Sequence, residues 1–222
     1  MPASAAIKKL AFPDDGSVAD LRRGAVRDFK RARILAAATD IFTRAGLEGA
    51  TIRAIAQAAG YTAGAVYSYF PTKEAIYADI LAHSLTALRA AVETDAREAP
   101  DDEARVRAII RGFYNYYRER PQELELGFYL FQGMRPRGLS REIDRALNSK
   151  LIAVLMRIRA AIMRLGTLRP LAAHRETVAA MCHISGVLLM AHTGRLKTLD
   201  SDPDMLIEHY IAGLIARLKQ TT

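Results

Sequence analysis

Apolar side chains recur every three or four residues over most of this chain, which places them on one face of an α-helix. Between residues 27 and 45 that face consists of Ile34, Leu35, Ala38, Ile41, Phe42 and Ala45. Residues 75–99 repeat the spacing with Ile76, Ile80, Leu81, Leu85, Leu88 and Val92. No stretch of useful length alternates apolar and polar residues as a half-buried β-strand does. The pattern therefore predicts an all-α protein.

Prolines, glycines and short acidic segments divide the rest of the chain into further helices. We expect these helices over residues 102–120, 121–132, 140–165, 174–196 and 204–219. Residues 1–26 contain several prolines and glycines and show no sustained period, which predicts a flexible arm. The basic residues of this arm suit either a segment that follows a DNA minor groove or a solvated tail.

Residues 51–74 have the features of two short helices joined by a tight turn. Ala56 is small enough for the helices to cross closely, and Gly60 tolerates the positive φ of such a turn. Thr51 and Thr62 are suitable N-caps, one for each helix. A proline ends the second helix, and a further threonine precedes the long helix that follows. The segment therefore predicts a helix-turn-helix, with its second helix at 63–70.

This segment resembles the DNA-binding signature of the TetR family of transcriptional regulators. The resemblance covers residues 32–76 and is carried by Thr51, Arg53, Ile55, Ala56, Ala59, Gly60, Val66, Tyr67, Tyr69, Phe70, Lys73 and Glu74. Tyr61, Thr62 and Ala65 depart from it, because the family more often has valine, serine and threonine there. We expect a three-helix DNA-binding domain at 27–78 and a larger helical domain at 79–222 for ligand binding and dimerisation.

The chemistry of candidate DNA contacts lies mainly at the edges of the motif. The hydroxyl of Thr51, the phenol of Tyr67 and the ammonium of Lys73 suit phosphates. Arg53 and Tyr61 suit directional contacts, that of Arg53 being with either a base edge or a phosphate. Residues 62–65, at the start of the second helix, offer few hydrogen-bonding groups. We therefore expect them to read bases through close approach and contact with thymine methyl groups. The full candidate set is Lys30, Arg31, Thr51, Arg53, Tyr61, Thr62, Ala63, Gly64, Ala65, Tyr67, Tyr69 and Lys73.

Aromatic residues are concentrated between residues 113 and 131, a density that suits either a ligand pocket or a core. The resemblance implies a pocket for a small apolar or aromatic effector among these middle helices. Its candidate lining residues are Phe113, Tyr114, Tyr117, Phe128, Phe131, Met134, Met156 and Met163.

The last two predicted helices carry small residues between larger apolar ones, which permits close helix approach. The resemblance implies a homodimer through residues 174–219, formed by these helices and their symmetry mates. Ordinary packing within one chain is the alternative.

The composition restricts the kinds of function that the protein can have but does not identify one. The net charge of +8 suits nucleic acid or an anionic membrane surface. No apolar run approaches the ~20 residues of a bilayer span, and the single cysteine excludes a disulfide within the chain. We therefore expect a cytoplasmic protein without membrane insertion.

Catalytic and metal sites find little support in the sequence. His183 and His192 fall on opposite faces of one helix, so that helix alone cannot chelate a metal with them. Cys182 and His183 are adjacent, and their side chains diverge too far to form a nucleophile and base pair. We expect no catalytic site, no metal site and no cofactor.

These observations favour a ligand-responsive regulator that is not an enzyme. We expect a homodimer that binds a near-palindromic double-stranded DNA operator and is released, as a repressor, by a small-molecule effector. Two alternatives remain open: an all-α ligand-binding or enzymatic protein without DNA binding, and a TetR-like DNA-binding protein with no inducer.

Overall fold

The computed structural model of the chain describes residues 15–127 and 139–220. Over these ranges the chain is helical and contains no β-strand, as the hydrophobic spacing predicts. The helices are α1 (Asp15–Gly49), α2 (Ile52–Ala59), α3 (Ala63–Tyr67), α4 (Lys73–Glu98), α5 (Asp102–Arg118), α6 (Pro121–Gly127), α7 (Arg141–Leu165), α8 (Pro170–His192), α9 (Arg195–Thr198) and α10 (Pro203–Lys219).

The first helix is longer than the sequence indicates. Residues 15–26, expected to belong to a flexible arm, are the opening turns of α1, and residues 1–14 lie outside the described part of the chain. All side chains from 20 to 33 are exposed, including those of Leu21, Val26 and Phe29. A helix without a buried face has no periodic apolar residues, which is why the hydrophobic pattern did not predict these opening turns as helical. Gly46, directly after the apolar face that ends at Ala45, has a positive φ of 67° and interrupts the helical geometry.

Two other boundaries differ from the expectation. The predicted helix at 121–132 is described only as α6, because residues 128–138 lie outside the described ranges. The predicted helix at 174–196 begins earlier, since Pro170 occupies the first turn of α8, where its missing N–H costs nothing. It also ends earlier, because Gly194 takes a left-handed φ of 72° between α8 and α9.

Two hydrophobic clusters organise the described residues. The first, which we call the head, joins α1, α2, α3 and the start of α4, with Leu126 and Leu139 packed into it. The second, the body, joins the later part of α4 with α5, α7, α8 and α10. Because α4 supplies Ile76 and Tyr77 to the head and Val92 to the body, this one helix belongs to both clusters. The domain boundary that we place near residue 78 lies in this shared helix and stays a prediction.

Candidate nucleic-acid interface

Side-chain caps and a glycine turn build the helix-turn-helix. The Thr51 Oγ1 accepts the Ala54 N–H at 3.1 Å at the start of α2. The Thr62 Oγ1 accepts the Ala65 N–H at 3.2 Å at the start of α3. Between the two helices, Gly60 has a left-handed φ of 75°. The two predicted caps and the predicted turn are therefore confirmed.

The two helices cross over a small apolar contact. Ile55, Ala56, Ala59 and Val66 are buried there, as expected from their spacing. The second helix is shorter than the predicted 63–70, since α3 ends at Tyr67. The backbone then turns, and the N–H groups of Tyr69 and Phe70 both donate to the Val66 carbonyl, at 2.9 and 3.0 Å. This turn carries the ring of residue 70 into the core of the head.

Most predicted contact residues of the motif are accessible. Tyr67 is 55% exposed although its neighbour Val66 is fully buried. The exposed members of the candidate set are Lys30, Arg31, Thr51, Arg53, Thr62, Gly64 and Tyr67, and the half-buried members are Tyr61, Ala63, Ala65, Tyr69 and Lys73. Their role in DNA binding stays a prediction.

Lys73 has a structural role that sequence reasoning missed. Its ammonium donates to the backbone carbonyls of Glu48 at 3.2 Å and Ala50 at 3.1 Å, where α1 ends. A cation is stabilised there by the partial negative charge of the helix terminus. Lys73 therefore fixes the start of α4 against the end of α1, and one of its three N–H donors remains for a phosphate. No sequence pattern reports the proximity of these two helix ends.

Two arginines of α1 also serve the head itself. The Arg31 guanidinium forms an ion pair with Asp79 at 2.7 Å and lies 5.4 Å from the centre of the Phe70 ring. The Arg33 guanidinium lies 5.5 Å from the centre of the Tyr61 ring. Arg31, predicted to contact DNA, is thus engaged with α4, whereas Tyr61 is held in place by stacking.

The extension of α1 brings further basic residues to the motif. Arg22, Arg23, Val26 and Arg27 line a cavity of about 360 Å³ together with Tyr69, just beyond the end of α3. Sequence reasoning assigned these arginines to a flexible arm. As part of a helix they have a fixed position beside the second motif helix, and helical spacing of the basic residues was the signal available for finding them.

The candidate effector residues are divided between core and surface. Phe113, Tyr114 and Tyr117 are buried in the body. Burial raises the pKa of Tyr114 to about 12, and neighbouring Asp204 adds to the increase. Phe128, Phe131 and Met134 lie outside the described residues.

Met156 and Met163 do not join these aromatic rings. The two methionines are 48% and 44% exposed, because the apolar face of α7 that packs on the body is formed by other residues, Val154, Ile158, Ala161 and Ile162. The prediction that these two methionines line a pocket together with the aromatic rings is therefore wrong.

Within the described ranges, no group of three or more His, Cys, Asp or Glu side chains is arranged to hold a metal ion. None of the helices in these ranges is both long and apolar enough to cross a bilayer.

Comparisons with known proteins relate the head to a family of regulators. Residues 34–80 match the family model for bacterial regulatory proteins of the tetR family. The chain is 28% identical over 102 residues to the HTH-type transcriptional activator FasR of Mycolicibacterium smegmatis, covering 46% of this chain and 47% of FasR. It is 28% identical over 130 residues to the HTH-type transcriptional repressor NicS of Pseudomonas putida, covering 58% of this chain and 60% of NicS. The chain thus spans about half the length of these curated relatives.

A solved structure extends the similarity to the fold. The transcriptional regulator FadR from Bacillus subtilis, in complex with stearoyl-CoA, superposes with a TM-score of 0.68 at 16% identity. The match covers 83% of this chain and 97% of that one, so the likeness includes both the head and the body.

Proposed function

We propose that this chain, which belongs to the tetR family of bacterial transcriptional regulators, binds a near-palindromic DNA operator as a homodimer. The main support for the proposal is the arrangement of α3. This short helix is capped by Thr62, and it has Val66 buried and Tyr67 exposed. That arrangement anchors the helix to the head on one side and leaves its other side open for the major groove.

Contacts with DNA follow from the groups around α3. Thr51 and Tyr67 offer hydroxyl groups to phosphates, and Lys73 offers its remaining N–H. Arg53 is exposed near the start of α2 and reaches either a base edge or a phosphate. Ala63, at the start of α3, suits close approach and contact with thymine methyl groups.

Dimerisation is proposed through α8 and α10. The two helices lie antiparallel, because Glu176 pairs with Arg217 at 3.0 Å while His183 stacks on Tyr210 with ring centres 4.3 Å apart. The described side chains that these helices leave exposed include the apolar or small residues Leu171, Val178, Ala179, Cys182, Met205, Ala212 and Ala216.

A second copy of the chain fits this surface. The exposed residues recur at helical spacing on both helices, so each helix keeps an apolar stripe after its own core packing is complete. Pairing two copies would form a four-helix interface and bury these stripes. It would also place two copies of α3 about 34 Å apart, one helical turn of DNA.

Control by a small molecule is proposed to act through α4. This helix packs in the head at Ile76 and in the body at Val92. A ligand that binds the body and favours a different tilt of α4 would change the separation of the two heads. It releases DNA only if it binds the DNA-free form more tightly. We propose the repressor mode, with the protein acting in the cytoplasm.

A salt titration tests DNA binding. Fluorescence anisotropy of a labelled duplex should show affinity falling as salt rises, with about 0.9 in the log-log slope for each neutralised phosphate. Arg53→Ala should weaken binding, and Arg195→Ala, an exposed arginine on α9, is the matched control. An affinity that does not respond to salt would contradict the proposal.

A further inference from the structure

A cleft of about 410 Å³ opens between α4, α5 and α7, at the end of α4 far from the head. Its floor is apolar: Ala96 and Ala160 are accessible there, and the buried Val92, Ile109 and Ala161 lie beneath them. Its rim is formed by charged residues from all three helices: Glu93, Arg97, Arg105, Arg157 and Arg164. The cleft thus combines an apolar floor with a predominantly basic rim.

The positive charge of the rim is only partly neutralised. Arg105 and Arg164 share one carboxylate, that of Asp102, which lies 3.0 Å from the Arg164 Nε. Arg157 pairs with Glu93 at 2.7 Å. The fourth arginine of the rim, Arg97, forms no ion pair within 15–127 and 139–220. The four guanidinium groups of the rim and the two carboxylates that pair with them, Glu93 and Asp102, sum to a formal charge of +2, and Glu93 is also shared with Arg89 at 3.7 Å.

Such a rim favours an anionic group. Guanidinium groups held close together repel one another until an anion lies between them, and a cleft with low-dielectric walls focuses their field. The planar fork of arginine matches the two oxygens of a carboxylate or phosphate. The side chains of the floor, including the accessible Ala96 and Ala160, offer no hydrogen bonds, so that part of the cleft suits a hydrocarbon chain.

We infer that this cleft binds an organic anion with an apolar tail, whose carboxylate or phosphate lies among the four arginines, with Arg97 as its principal partner. The volume lies within the usual range of small-molecule sites. This ligand class differs from the purely apolar or aromatic effector that the sequence suggested. The basic rim could not be seen in the sequence, because its arginines come from three separate helices.

The regulatory part of the inference rests on the proposed function. The cleft lies at residues 92–97 of α4, about 24 to 32 Å along the helix from Ile76 in the head at ~1.5 Å per residue. An anion drawing Arg97 of α4 toward Arg164 of α7 changes the angle between these helices. Because α4 packs in the head, the same change moves the helix-turn-helix.

Isothermal titration calorimetry of the full chain tests the site directly. The probes are decanoate, octyl phosphate, decanol and inorganic phosphate. We expect both amphiphilic anions to bind with one site per chain, and the tighter of them identifies the preferred head group. Decanol and inorganic phosphate should each bind at least about tenfold more weakly, because each satisfies only one half of the cleft. Equal binding of decanol or of inorganic phosphate would overturn the assignment.

Two substitutions with opposite expected effects separate binding from folding. Arg97→Gln leaves the described ion pairs of the rim intact and should weaken anion binding about tenfold. Glu93→Gln removes a competing carboxylate and should strengthen it. The control, Arg195→Gln, should have no effect. Failure of both rim variants to change the affinity would overturn the inference.

The consequence for DNA is measured separately by anisotropy. Decanoate or octyl phosphate should release a bound duplex from the wild-type chain and fail to do so, at the same concentration, with Arg97→Gln. Anion binding without release would overturn the regulatory part alone. Anion binding by a chain that binds no DNA would leave the site intact and contradict the proposed function.

Discussion

The Tyr77 hydroxyl donates a 2.6 Å hydrogen bond to the backbone carbonyl of Leu126. Both residues are buried in the head, and the Tyr77 ring also meets Phe42 edge-on with centres 5.0 Å apart. Tyr77 belongs to α4, whereas Leu126 belongs to α6, which follows directly after body helix α5. The bond therefore ties α4 to α6, a helix that contributes Leu126 to the head and Leu124 to the body.

Removing this hydrogen bond should destabilise the chain. Tyr77→Phe keeps the ring and leaves the buried Leu126 carbonyl without this donor, so we expect the free energy of unfolding to fall by about 1 kcal/mol. Urea denaturation followed by circular dichroism measures it. Tyr67→Phe, which changes an exposed tyrosine, should stay within about 0.5 kcal/mol of the wild type. Equal losses in the two variants would contradict the role of the Tyr77 bond.

Substitutions of Lys73 and Tyr67 should have different effects on stability and on DNA binding. Lys73→Met retains the aliphatic stem but leaves the Glu48 and Ala50 carbonyls without their donor, so we expect a loss of about 1–2 kcal/mol in stability. Tyr67→Phe should weaken DNA binding with little change in stability. Parallel urea and anisotropy measurements decide the matter, and a fully stable Lys73→Met protein would show that its carbonyl contacts are unimportant.

Dimerisation should depend on the exposed stripe of α8. Val178→Glu places a charge within the proposed interface, where it would be desolvated, so we expect a shift from dimer to monomer. Ile152→Glu is the matched control, because Ile152 is similarly exposed on α7. Sedimentation equilibrium measures both. A monomeric wild type, or a dimer unaffected by Val178→Glu, would exclude this interface.

Burial of tyrosine hydroxyls makes the fold sensitive to alkaline pH, because it raises the pKa of Tyr114, Tyr116, Tyr117 and Tyr210. Burial raises the pKa of Tyr114 and of Tyr210 from 10.0 to about 12. Above pH 10 the unfolded chain releases these protons while the folded chain retains them. Stability should therefore fall as pH rises from about 10 to 12. Urea denaturation across this range should show a shallower decline for Tyr114→Phe than for the wild type. Tyr67→Phe should keep the wild-type decline, and identical slopes in all three proteins would refute the assignment.

Local chemistry explains what could be predicted from the sequence. Thr51, Thr62 and Thr72 cap helices by accepting hydrogen bonds from the N–H groups three residues ahead, so their role is visible in a short stretch of chain. Hydrophobic spacing located the helices that bury a face. It missed the opening turns of α1, which bury none among residues 20–33.

Features that depend on distant residues could not be predicted in the same way. The contact between Lys73 and the Glu48 carbonyl requires that two helix ends meet, which no local pattern specifies. The basic cleft likewise joins Arg97 to Arg164 across α4 and α7. Spacing also identified Met156 as apolar without indicating that it faces away from the core.

Selection of bound duplexes from a random DNA pool by the purified full chain would show whether the protein binds a two-fold symmetric operator as a dimer. We expect enrichment of an inverted repeat whose half-sites lie about one helical turn apart, and loss of that enrichment in the monomeric Val178→Glu variant. Recovery of no sequence preference, or of a site without two-fold symmetry, would contradict this expectation.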